Sequence, residues 1–142
     1  MTGVQSFSLP ITAQPNTGAA RSGSITIRAG SATRTIGITQ TAAPAPTLTV
    51  EVYSPPRWIA AANAWNPAPA AGGTLSLRIT TNQPTWSVTS DRDWSTVSTN
   101  SGASGETFTW TAARNTGAAR SGSITIRAGS ATRTIGITQT RG

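Results

Sequence analysis

Apolar side chains along much of this chain alternate with threonine, serine and other polar residues at a period of two. Thr47–Tyr53 (TLTVEVY) sets Leu48, Val50 and Val52 on one face, and Thr74–Thr80 (TLSLRIT) does the same with Leu75, Leu77 and Ile79. Trp86–Thr89 reads as a short third strand. Glu106–Thr111 pairs Phe108 with Trp110, Ser123–Arg127 pairs Ile124 with Ile126, and Thr132–Thr138 pairs Ile135 with Ile137. Alternation of this kind predicts antiparallel strands with one buried face. Ala128-Gly129-Ser130 lies between two of these runs at hairpin distance, and Ser101-Gly102 and Asn115-Thr116-Gly117 are further turn signals. No stretch carries a helical period. Ile59–Ala64 has room for one helical turn, which Pro67 and Pro69 then close off. Six or seven short strands in the last two thirds of the chain predict an all-β sandwich.

The chain also repeats itself. Asn16–Thr41 and Asn115–Thr140 are identical letter for letter, and upstream of the identity Leu9 and Ile11 fall opposite Phe108 and Trp110. The spacing of the two copies, about 100 residues, is that of a sandwich domain. Thr47–Gly142 therefore holds a complete unit, residues 42–46 (AAPAP) read as a linker, and residues 1–41 hold only the second half of a unit.

Composition narrows the chemistry. The 142 residues include no cysteine and no histidine, so there is no disulfide framework, thiolate nucleophile, imidazole base or usual zinc site. All eleven basic residues are arginine, against four acidic residues, for a net charge of +7. Arg21, Arg28 and Arg34 recur as Arg120, Arg127 and Arg133, so much of that charge is one segment written twice. No basic run or basic-aromatic motif accompanies it, which argues against specific nucleic-acid binding. The charge favours anionic surfaces such as sulfated or sialylated glycans, or a negatively charged capsid exterior. No apolar run is long enough to span a membrane, and the first residues show neither the basic nor the apolar region of a signal peptide.

One series of residues resembles the BACON family, Ig-like modules found beside carbohydrate-active domains in gut Bacteroidetes and their phages. It runs from Trp86-Ser87-Val88-Thr89-Ser90-Asp91 through Asp93-Trp94-Ser95-Thr96-Val97-Ser98, Ser101-Gly102 and Asn115-Thr116. It continues with Arg120–Ile126 and ends at Ile135-Gly136-Ile137-Thr138-Gln139. Residues 6–41 resemble the C-terminal half alone. The resemblance implies an Ig-like antiparallel β-sandwich of seven to eight strands, preceded by a half-sandwich repeat and without catalytic residues. Carbohydrate or mucin binding is the activity proposed for the family. The chain departs from the pattern at residues 54–71 (SPPRWIAAANAWNPAPAA), a longer stretch than expected between the first strands.

That insertion holds the candidate binding residues. Trp58 and Trp65 lie outside any alternation, with Tyr53 just before them and Arg57 adjacent to Trp58. Aromatic rings on a loop suit stacking on sugars or docking to a protein, with Arg57 as a charged contact; the other reading is that the insertion folds over an open sandwich end and buries both tryptophans. Trp86 and Trp94 are expected in core and corner packing, their N–H groups bonded to carbonyls. Asp91 and Asp93 suit an Asx-type turn better than a calcium site, which needs six or more oxygen ligands. Glu51 and Glu106 have no visible partner for paired-carboxylate chemistry. No catalytic residue, metal site or cofactor is expected.

Residues 1–41 should form about three strands carrying Phe7, Leu9, Ile11, Ile25, Ile27, Ile36 and Ile38. A piece this small cannot bury enough surface to stand alone, and its apolar face and open edges call for a partner. The expectation is a non-catalytic adhesion module, extracellular or on a virion, that contacts glycans or mucin weakly. The alternative is a phage capsid or fibre component docked through its half unit. Residues 1–41 would pack on the complete unit of their own chain, pair with the same segment of a neighbouring chain, or exchange with the identical strands of another copy. The expectation is the intermolecular role, as a homo-oligomer or bound to a partner, and the alternative is a half unit stabilised within its own chain.

Overall fold

The computed structural model describes Ser6 and residues 8–142, all β and coil without a helix among them. Two compact units divide the chain, Met1–Ala45 and Pro46–Gly142.

The second unit is a sandwich of two five-stranded sheets. Strands β3 (Leu48–Ser54), β4 (Arg57–Ala60), β6 (Gly73–Thr81), β8 (Ser95–Val97) and β10 (Thr107–Ala112) form one sheet, in the order β4-β3-β6-β10-β8. Strands β5 (Ala64–Ala68), β7 (Trp86–Ser90), β9 (Ser101–Gly102), β11 (Arg120–Ala128) and β12 (Ala131–Gln139) form the other, ordered β5-β12-β11-β7-β9. All pairings are antiparallel except β5 with β12.

The alternation does what it predicts. Val50, Leu77, Ile79, Phe108 and Trp110 face inward from the first sheet, and Val88, Ile124, Ile126, Ile135 and Ile137 from the second, all buried. Each large aliphatic side chain so buried contributes about 1.5–3 kcal/mol. Buried polar groups are paired. The Trp110 Nε1–H donates to Ser95 Oγ at 2.8 Å and the Trp86 Nε1–H to the Ala103 carbonyl at 2.7 Å. Among the described residues no buried side-chain nitrogen or oxygen lacks a partner.

The unit has ten strands where seven or eight were expected. Two of the extra ones come from the insertion. Its first part is β4, a hairpin on β3 turned at Pro55-Pro56, and its second part is β5, laid parallel to β12. The helical turn considered at Ile59–Ala64 does not form, because Ile59 and Ala60 belong to β4 and bond to Val52 and Glu51 of β3.

In the first unit, β1 (Arg21–Ala29) and β2 (Ala32–Gln40) make a two-stranded hairpin with the register of β11 and β12, Ile25 opposite Ile36 as Ile124 is opposite Ile135. Gly30 and Gly129 open the two turns at φ 57° and 58°, the positive φ that a type II′ turn requires at its first central position. Among the described residues two strands form here where three were expected. Leu9 and Ile11 are exposed coil, since their counterparts Phe108 and Trp110 sit on β10, which is held by β6 and β8. Phe7 lies outside the described residues.

Candidate functional site

The four candidate residues do not share one surface. Tyr53 and Trp58 are directly paired across β3 and β4, so their side chains project from the same side of the sheet. That side is the outer one, because Val50 and Val52, which alternate with Glu51 and Tyr53, point into the core. The rings of Tyr53 and Trp58 lie 5.3 Å apart, tilted by 51°. Tyr53 is 43% exposed and Trp58 half-buried.

Trp58 is steadied by a residue that the sequence pattern does not single out. The Arg78 guanidinium sits 4.7 Å from the centroid of its ring. Arg78 is itself held by Glu51, its neighbour across β3 and β6, through Nε and Nη2 bonds to one carboxylate oxygen at 2.9 and 2.8 Å. Glu51, Tyr53, Trp58 and Arg78 thus occupy one face near the β4 edge. Farther across the same sheet, on β6 and β10, the Thr74 and Thr111 hydroxyls lie 3.2 Å apart. Both pairing and charge fix the orientation of the indole, so a ligand would find Trp58 already in place.

Arg57 is exposed and pairs with Ser54, one residue out of phase with Trp58, so it projects toward the other side of β4. Trp65 turns inward. It is paired with the buried Ile137 and packs edge-on against Trp110, ring centroids 5.4 Å apart. There it lines a cavity of about 360 Å³ between the sheets, together with Val52, Ile59, Leu75, Trp110 and Ile135. The lining is mostly apolar, with Tyr53, Ser54 and Asn66 as its polar members. These are few partners for the many hydroxyls of a sugar.

The remaining candidates are structural. Trp86 is core, and Trp94 is half-buried with the Arg120 guanidinium 4.2 Å from its ring centroid. Asp91 accepts the Ser123 N–H at 2.7 Å and so ties the loop after β7 to β11. Glu106 accepts the Ala103 N–H at 2.7 Å. Among the described residues no cluster of acidic side chains could hold a metal, and no helix is long and apolar enough to cross a membrane.

A model of the family "BACON: Putative binding domain, N-terminal" matches residues 1–41 and 84–140. Among solved structures, a Bacteroides ovatus GH5 xyloglucanase in complex with a XXXG heptasaccharide is similar at TM-score 0.52 and 19% identity. The match covers 66% of this chain and 19% of that one, so the chain spans about a fifth of the enzyme's length. A Bacteroides thetaiotaomicron protein solved by NMR matches at TM-score 0.42 and 18% identity, over 54% of this chain and 75% of that one. Domains 4 and 5 of the S-layer protein SbsC match at TM-score 0.41 and 22% identity, over 84% of this chain and 58% of theirs. No curated protein matches the chain.

Proposed function

Since the chain belongs to the BACON family, we propose that it is a non-catalytic surface module that binds glycans weakly through the Tyr53–Trp58 platform. The observation that carries this reading is the pairing of two aromatic rings on an outer sheet face, one of them pre-oriented by Arg78. A pyranose ring presents an apolar C–H face that stacks on such rings, and its hydroxyls meet the flanking Glu and Arg groups. Pre-orientation removes part of the ordering cost that weak binding cannot bear. The net charge of +7 adds attraction for sulfated or sialylated glycans and mucin.

The test is a glycan array with matched sulfated, sialylated and neutral members. The expected result is binding that Trp58→Ala abolishes and Trp65→Ala, at an inward-facing ring, leaves unchanged. Binding indifferent to Trp58→Ala removes the platform. A second reading, a structural component of a phage capsid or fibre, is favoured by the exposed apolar side chains of the first unit. Capsid and tail genes beside the coding sequence would support it, and a neighbouring glycosidase or lipoprotein gene would support the adhesion reading.

A further inference from the structure

The two identical segments fold alike but are buried differently. In the sandwich, Asn115 donates from Nδ2 to the Ala118 and Thr140 carbonyls, and Arg120 bonds Gln139, Ala113 and Arg114. In the first unit Asn16 makes the same bonds to Ala19 and Thr41, and Arg21 to Gln40, Gln14 and Pro15. The hairpin β1–β2 is therefore a finished copy of β11–β12. Its apolar face is not finished: Ile27 and Ile36 are 46% and 41% exposed, while their counterparts Ile126 and Ile135 are 0% and 3% exposed.

What covers such a face is on view in the sandwich. The counterpart isoleucines pack with Val50, Leu77, Ile79, Phe108 and Trp110 of the opposite sheet, and the hairpin's two edges are taken by β7 and β5. We propose that the hairpin 21–40 is an exchange element that occupies the place of residues 120–139 in a second copy of this chain.

Reach favours a second copy over the same chain. β12 ends at Gln139, bonded to the Pro69 and Ala113 carbonyls at one end of the sandwich. β3 begins at Leu48, paired with Thr81 at the other end, where Gln83 meets the Gly129 turn. The Ala43 N–H bonds the Gly18 carbonyl at 2.9 Å as the Gly142 N–H bonds that of Gly117 at 3.0 Å, so the copy extends to Ala43. A chain returning from the end of a nine-residue strand to the start of β3 must cover about 26–27 Å along it, besides the offset between the sheets. The stretch from Ala43 to Leu48 spans at most about 17–18 Å when fully extended. Between two copies no such limit applies. Because the segments are identical, exchange alters no side-chain contact in the slot. Occupancy then follows the local concentration of neighbours, and each displaced 120–139 hairpin becomes a donor for the next copy. Such contacts are heterologous and build open head-to-tail chains, an arrangement suited to a densely covered surface.

The absence of cysteine makes the test clean. Thr125 lies directly opposite Thr89 across β11 and β7, and directly opposed residues are close enough for a disulfide. Thr26 is the counterpart of Thr125. In the full chain carrying Thr26→Cys and Thr89→Cys, concentrated protein under mild oxidation should yield covalent dimers and longer multimers on a denaturing gel. The pair Thr26→Cys and Thr109→Cys, with the second thiol on the other sheet, should not, and Ile25→Asp with Ile27→Asp should abolish the ladder. Multimers absent, or equal in both pairs, overturn the proposal. As a companion measurement, full-length Ile124→Asp/Ile126→Asp should still unfold cooperatively, with a midpoint that rises with protein concentration as neighbours fill the slot. A chain without that transition also overturns it. Neither readout depends on glycan binding.

Discussion

The repeat offers an internal control for the energetics of the sandwich. Ile126 and Ile27 sit in identical sequence, opposite Arg133 and Arg34 in identical hairpin registers. Strand propensity and hairpin contacts are therefore matched, and the two positions differ in tertiary burial, 0% against 46% exposed. Ile126→Ala removes a side chain packed among core residues and leaves a cavity between the sheets, which costs about 2–5 kcal/mol. Ile27→Ala removes a half-exposed side chain with no second layer of its own unit behind it, and surface changes of that kind stay within about 0.5 kcal/mol. The assay is convenient because all five tryptophans lie between Trp58 and Trp110, so indole fluorescence reports the second unit alone. In dilute protein, Ile126→Ala should lower the thermal midpoint by about 8–40 °C, taking about 4–8 °C per kcal/mol for a unit of this size. Ile27→Ala should leave it in place. Equal shifts for the two substitutions, or a loss below about 1 kcal/mol for Ile126→Ala, would refute the burial argument.

Two further outcomes follow from close contacts. Gly102→Ala would put a Cβ 2.4 Å from Cζ2 of Trp86 and 2.6 Å from Oε2 of Glu106, so urea unfolding should show a loss of about 1–3 kcal/mol from overpacking. Asn115→Ala removes bonds to the Ala118 and Thr140 carbonyls and to the Gly117 N–H, and should cost about 1–3 kcal/mol in the same assay, whereas Asn16→Ala should not move the tryptophan transition.

Period-two alternation located the long strands and their inward faces, because each of them buries one side against a full opposing sheet. Val50, Leu77, Ile124 and Ile137 were assignable to the core on that ground. The insertion was opaque for a physical reason. β4 and β5 are only four and five residues long, β5 holds two alanines and a proline, and both exist because β3 and β12 offer edges for them to pair with. Reading the stretch as a loop grouped Trp58 with Trp65, which pairing sends to different sheets, Trp58 to the outer face of one and Trp65 to the inner face of the other. The same omission hid Arg78, whose importance lies in a partner on β4. Trp86 was legible, since a ring in a strand-loop-strand corner with a carbonyl in reach is a common way to fill a sandwich. The first unit shows the converse limit: an identical sequence specified the hairpin and its hydrogen bonds, but could not specify the sheet that covers it.

The most direct test of the binding platform is an NMR titration of the indole N–H signals with the glycan that the array ranks highest. The Trp58 signal should move saturably with added ligand, while those of Trp65, Trp86 and Trp110, which lie inside the sandwich, stay in place. A saturable shift at Trp65 with Trp58 unmoved, or no shift at any indole, would contradict it.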